Sequence, residues 1–115
     1  MFTNLWYVAA RSNALEAGKV IERRMLGRAF ALFRKPDGSV GCLSAVNPHR
    51  GSNLASGTCQ EDGTLACPFH AKRFDADGNC TMIPSLENPT ENLDPRSKVD
   101  GYPTEERYGF IWVYL

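Results

Sequence analysis

The sequence has only two histidines, no excess charge of either sign and no long apolar run. Each shortage removes a class of function. Its 13 lysines plus arginines offset 13 aspartates plus glutamates, so the formal net charge is zero. General nucleic-acid binding needs a basic surface to displace counterions from phosphates, and none is expected here. The longest apolar stretch, Phe110 to Leu115, falls far short of the ~20 residues of a membrane helix, so no membrane partner is expected either. Met1 to Ala10 carries no Lys or Arg ahead of its apolar residues, and Thr3 and Asn4 interrupt it, unlike an export signal. The four cysteines therefore read as reduced thiols or metal ligands, and the expected compartment is cytoplasmic.

What remains is an ordinary globular composition, 43% hydrophobic and 23% charged over 115 residues, which suits a single domain spanning 1–115. Apolar residues come in short runs between turn formers and nowhere hold the spacing of a long amphipathic helix, so the fold class reads as all-β. Strands are expected at Trp6 to Ala9, Val20 to Met25, Arg28 to Arg34, Val40 to Val46 and Cys80 to Ile83, with one helical turn within Ser12 to Gly18. Lys35-Pro36-Asp37-Gly38 and Asp75-Ala76-Asp77-Gly78 are turns in which Gly can take positive φ, the first also with a Pro to preset φ. Four of the seven prolines lie between Pro84 and Pro103, which predicts a long irregular connection. Glu105, Glu106 and Arg107 read as a polar turn before a last strand, Tyr108 to Leu115, rich enough in apolar residues to be buried on both faces. A chain ending inside such a strand looks like part of a longer parent. Arg23, Arg24 and Arg28 read as a solvated strand face.

Both histidines stand beside prolines in loop-like settings, Asn47-Pro48-His49-Arg50-Gly51 and Cys67-Pro68-Phe69-His70. A lone histidine is usually structural. Cys67-x-x-His70, however, puts a thiolate and an imidazole on one tight turn, and both are good ligands for iron or zinc.

The stretch from Asn47 to Cys80 resembles the cluster-binding region of Rieske iron–sulfur domains, in which Cys-x-His is followed after a spacer by Cys-x-x-His. Arg50-Gly51, Leu54, Gly57, Cys67-Pro68-Phe69-His70, Arg73-Phe74-Asp75 and Gly78 match the oxygenase branch. The early Trp-Tyr-Val-Ala and the closing Tyr-Gly-Phe-Ile-Trp-Val-Tyr are similar to the borders of the N-terminal domain in ring-hydroxylating and O-demethylating oxygenases. The resemblance implies an antiparallel β-sandwich with a small cluster-binding subdomain of two loops, about 46–58 and 66–74. It also implies a [2Fe-2S] cluster with His49 and His70 on one iron and Cys67 on the other. Imidazole in place of thiolate raises the potential of such a cluster to roughly −150 to +300 mV. The implied partners are a reductase or ferredoxin as electron donor and the catalytic mononuclear-iron domain of a parent oxygenase, with homo-oligomeric assembly left open.

Three positions depart from the family pattern. Asn47 stands where the first cluster cysteine is expected, and Ala71-Lys72 replaces the usual Gly-Trp. A neutral amide oxygen is a poor substitute for a soft thiolate on ferric iron. Cys42, Cys59 and Cys80 read as structural, Cys42 as a buried small hydrophobe and Cys59 as exposed in the Gly57 to Gly63 connection. Two alternatives follow: a single zinc or iron ion on His49, Cys67 and His70, or a clusterless module of the same fold serving interaction. A hydrolase lacks a matching nucleophile elbow, and a zinc finger lacks a second close ligand pair.

Overall fold

The computed structural model describes residues 5–45, 54–67, 72–82 and 99–115. Among these residues the chain is nearly all β: β1 Trp6–Arg11, β2 Val20–Met25, β3 Arg28–Arg34, β4 Val40–Ser44, β5 Thr58–Cys59, β6 Leu65–Ala66, β7 Arg73–Phe74, β8 Cys80–Met82, β9 Gly101–Tyr102, β10 Thr104–Arg107 and β11 Phe110–Tyr114. The expected helical turn is a 3-10 turn at Ser12–Ala14, and a second such turn lies at Leu54–Ser56. All strand pairing is antiparallel, in three sheets ordered β1-β11-β10, β2-β3-β4-β9 and β5-β6-β7-β8.

The sheet β2-β3-β4-β9 is the central layer, because alternate residues of its strands feed two different cores. Phe30, Leu32 and Cys42 join Ile111, Val113 and Leu115 on the side of the sheet β1-β11-β10. Ala31, Phe33 and Leu43 join Leu54, Leu65, Cys67, Phe74 and Val99 on the side of the small sheet. The run Phe30-Ala31-Leu32-Phe33 is buried on both sides, which is why it is uninterruptedly apolar.

Tight turns join the strands. β2 and β3 meet through Leu26 and Gly27, at φ 53° and 73°, and β10 and β11 through Tyr108 and Gly109, at φ 57° and 78°. Two central residues of positive φ match the twist of a two-residue hairpin. At the Lys35–Gly38 turn Asp37 Oδ1 accepts hydrogen bonds from both the Ser39 amide and hydroxyl.

Four expectations need correction. Glu105 to Arg107 belongs to β10, not to a turn, because its backbone pairs with β11. The last strand starts at Phe110 and is buried on one face only: Ile111 and Val113 are buried, Phe110 is exposed, and Trp112 and Tyr114 are half-buried. Of the Pro84 to Pro103 connection, Gly101–Tyr102 forms β9 against β4, while 84–98 lie outside the described residues. Cys59 is half-buried in β5, where its thiol donates to the Arg34 carbonyl at 3.5 Å. No helix among the described residues is long and apolar enough to cross a membrane.

Candidate metal centre

Asn47, His49 and His70 fall in segments 46–53 and 68–71, outside the described residues, as does Ala71. The structure does place the bases of both segments. The Leu54 amide donates to the Ala45 carbonyl at 2.7 Å, closing 46–53 at its root. The Cys67 amide donates to the Lys72 carbonyl at 2.8 Å, which continues the β6–β7 ladder and closes 68–71 in the same way. Ala45, Leu54 and Cys67 all belong to the second core, so the two loops spring from one apolar platform. The roots of the two segments that the resemblance marks as candidate cluster loops thus lie in one core.

Two glycines hold this arrangement. Gly57 ends the 3-10 turn after the first loop, its amide bonded to the Leu54 carbonyl at 2.9 Å, and a methyl group there would run into the Ala66 carbonyl. The 3-10 turn Leu54–Ser56 is thereby held close to the strand that leads into Cys67. Gly78, at φ 87°, sits so close to Val99 that a side chain would meet the Val99 carbonyl, while the Val99 amide bonds the Gly78 carbonyl at 2.9 Å. That contact fastens the β7–β8 turn to the central layer.

Cys67 is buried within the second core. The other cysteines are placed elsewhere. Cys42 points into the first core, and burial pushes its thiol up to about 12. Cys59 and Cys80 occupy the two edge strands of the small sheet, in one row across it through Leu65 and Phe74. Burial raises both thiols above the usual range. Cys59 donates toward the Arg34 carbonyl and Cys80 toward the Met82 carbonyl, at 3.5 and 3.7 Å. No group of three or more His, Cys, Asp or Glu among the described residues is arranged to hold a metal ion. Cys67 is the one cysteine placed at the roots of the two segments that carry the expected ligands His49 and His70.

Sequence reasoning missed one polar feature that organises the fold. All five guanidinium N–H groups of Arg34 are used. They donate to the carbonyls of Leu15, Ser12 and Gly38 at 2.6, 3.1 and 2.7 Å and to the two Glu106 oxygens at 2.8 and 2.9 Å. This hub ties the end of β3, the first 3-10 turn, the β3–β4 turn and β10 together. The only signal in the sequence is an Arg ending an apolar strand, which does not name its partners.

Comparison with known proteins agrees with this architecture. A family model for the Rieske [2Fe-2S] domain matches residues 5–103. The chain is 37% identical over 111 residues to the oxygenase subunit of 3-chlorobenzoate-3,4-dioxygenase from Comamonas testosteroni, covering 96% of this chain and 25% of that protein. It is 38% identical over 113 residues to the oxygenase component of dicamba O-demethylase from Stenotrophomonas maltophilia, covering 96% and 31%. A crystal structure of dicamba monooxygenase with non-heme iron and dicamba superposes with a TM-score of 0.85 at 35% identity, over 96% of this chain and 32% of that one. The chain thus spans about a quarter to a third of the length of these relatives. With three antiparallel sheets, two loops rooted on one core and a family match over residues 5–103, the chain belongs to the Rieske [2Fe-2S] domain family.

Proposed function

We propose that this chain is a Rieske-type electron-transfer domain, like the N-terminal domain of ring-hydroxylating or demethylating oxygenases, with an altered metal site. The observation that carries the reading is the common root of the two loops, fixed by the Ala45–Leu54 and Cys67–Lys72 backbone hydrogen bonds. In this reading His49, His70 and Cys67 are metal ligands, and Asn47 occupies the corner that a second thiolate would fill. A Rieske cluster supplies one-electron transfer at a potential raised by its imidazole ligands. The protein's part is to hold the ligand loops and to keep the Cys67 side dry within the second core. An electron would come from a reductase or ferredoxin and pass to a mononuclear-iron domain, as the dicamba structure's non-heme iron suggests for that relative. The setting is proposed to be cytoplasmic, as a single domain over 1–115.

A second reading rests on Asn47. Two imidazoles and one thiolate match the three protein ligands of an open mononuclear site, so one zinc or iron ion is the competing occupant. Iron, zinc and acid-labile sulfide should be measured on anaerobically purified chain beside its visible spectrum. Two iron and two sulfide per chain support the cluster, and one metal without sulfide supports the mononuclear site. Absence of both leaves a clusterless module and overturns the electron-transfer reading.

A further inference from the structure

Two consecutive residues, Val99 and Asp100, hold the roots of both candidate ligand loops. The Val99 amide donates to the Gly78 carbonyl at 2.9 Å and fastens the β7–β8 hairpin. β7 begins one residue after Lys72, whose carbonyl closes the segment 68–71. The Asp100 carbonyl accepts from the Ser44 amide at 2.8 Å, and Ser44 directly precedes Ala45, whose carbonyl closes 46–53. The Val99 side chain is itself buried in the second core with Ala45, Leu54 and Cys67. The residues that follow anchor the stretch 99–104 elsewhere. Gly101 and Tyr102 pair with Leu43 and Cys42 of β4, and the Tyr102 ring meets Phe30 of the first core edge to face at 5.1 Å. The Pro103 carbonyl accepts from the Tyr114 amide at 3.0 Å, and Thr104 Oγ1 donates to the Val40 carbonyl at 2.8 Å. One short stretch is thus bonded to all three sheets.

We propose that 99–104 is a strap that sets the two ligand loops relative to each other, with Val99 and Asp100 as its positioning residues. The proposal rests on the reading of 46–53 and 68–71 as ligand loops. A site assembled from two loops is only as fixed as the relation between their roots, and here one backbone bond from each of two adjacent residues defines that relation. Gly101 sets how closely the strap fits. A methyl group there would lie 2.8 Å from the carbonyl carbon and oxygen of Asp77, so the β7–β8 turn would have to lift away from the strap. Unlike Gly78, Gly101 does not sit at positive φ, so close approach is what requires a glycine at this position. The far end, tied to Tyr114 and Val40, keeps the strap from following the turn.

The test is amide hydrogen exchange, followed by NMR, on the 115-residue chain as purified. Gly101→Ala should speed exchange of the Val99, Leu54 and Cys67 amides about tenfold or more by local opening, and change the Ser12 and Arg34 amides, bonded to the Gly109 and Lys19 carbonyls, less than about twofold. Val99→Ala keeps the backbone bonds and removes only the buried side chain, so it should act in the same direction and serves in place of Gly101→Ala if that variant does not fold. Gly38→Ala, whose methyl would meet nothing within 4 Å, controls for loss of stability alone and should leave the Leu54 and Cys67 rates as they were. A merely stabilising role would not single out those two amides. Unchanged rates at Leu54 and Cys67 in the strap variants overturn the proposal. So does uniform speeding of all five amides, and so does an equal response of the two root amides to Gly38→Ala. Exchange is read whatever metal the chain holds, so an absent cluster would sink the electron-transfer reading and leave this result standing.

Discussion

Cys42 and Cys67 are both buried, yet they lie in different cores on opposite faces of the central sheet β2-β3-β4-β9. The nearest upstream cysteine in sequence therefore lies across the central sheet from Cys67, so in the proposed ligand set it does not supply the second thiolate. Asn47→Cys should raise the iron and sulfide content toward two of each per chain. Cys42→Ala should leave metal content as it was, and Cys67→Ser should abolish it. Inductively coupled plasma analysis with sulfide determination reads all three. A loss of metal in Cys42→Ala at unchanged thermal stability would falsify the assignment of ligands.

The same partition predicts thiol chemistry. A thiol pushed up to about 12 by burial has almost no thiolate at pH 8. Cys42 should therefore remain unalkylated by iodoacetamide in the native protein and react fully after denaturation. Cys59 and Cys80, half-buried with thiols raised less far, should react slowly but measurably. Peptide mapping after timed alkylation gives the order. Rapid native labelling of Cys42 would mean that the first core is open.

What could be read from the sequence follows a physical division. β2, β3 and β4 are five to seven residues long and bounded by turn formers, so their apolar runs announce them, that of β3 unbroken because it is buried on both sides. β5, β6 and β9 are two residues long and exist only through their partners, so no local pattern marks them. β10 was hidden because Thr104-Glu-Glu-Arg is polar, while its place is fixed by pairing with β11. The pair Cys67 and His70 stands out in the sequence because histidine is rare here and the spacing is chemically narrow, while His49 and Asn47 are singled out by the family pattern. The Arg34–Glu106 pair joins residues 72 apart, and no spacing rule reaches that far.

Gly57 gives a prediction that links the scaffold to the site. Gly57→Ala would push a methyl group against the Ala66 carbonyl, and backbone cannot rotate away as a side chain would. The substitution should cost roughly 1–3 kcal/mol, in the range for overpacking. Because Ala66 directly precedes Cys67, metal content should fall as well. Gly38→Ala is the contrast, since its methyl would meet nothing within 4 Å and only its φ of 94° would be strained. It should lower stability with metal content unchanged. Urea unfolding and metal analysis on both variants separate the two effects, and equal metal loss in the pair would remove Gly57 from any role at the site.

The Arg34–Glu106 pair makes stability depend on pH in a defined direction. Hydrogen bonds from Arg34, with burial opposing them, hold the Glu106 carboxyl below its ordinary range. A carboxyl with a lowered folded pKa contributes stability that is fully present above its unfolded pKa, about 4.3, and lost as pH falls through the folded value. Arg34 is raised by the same bonds but stays protonated in both states throughout this range, so it adds no pH dependence. Glu106→Gln keeps the shape and loses the charge. At pH 7 it should destabilise by roughly 1–2 kcal/mol, since the pair is charge-assisted but the carboxylate is a third exposed. The gap between variant and wild type should hold constant from pH 7 to about 5 and close below about 4.3, as wild-type Glu106 takes up its proton. Asp37 and Asp62, also held low by hydrogen bonds from Ser39 and Thr64, are common to both proteins and cancel in the difference. Urea midpoints across this range decide the matter: a gap that widens toward acid would mean that Glu106 is stabilised by something other than its charge on Arg34.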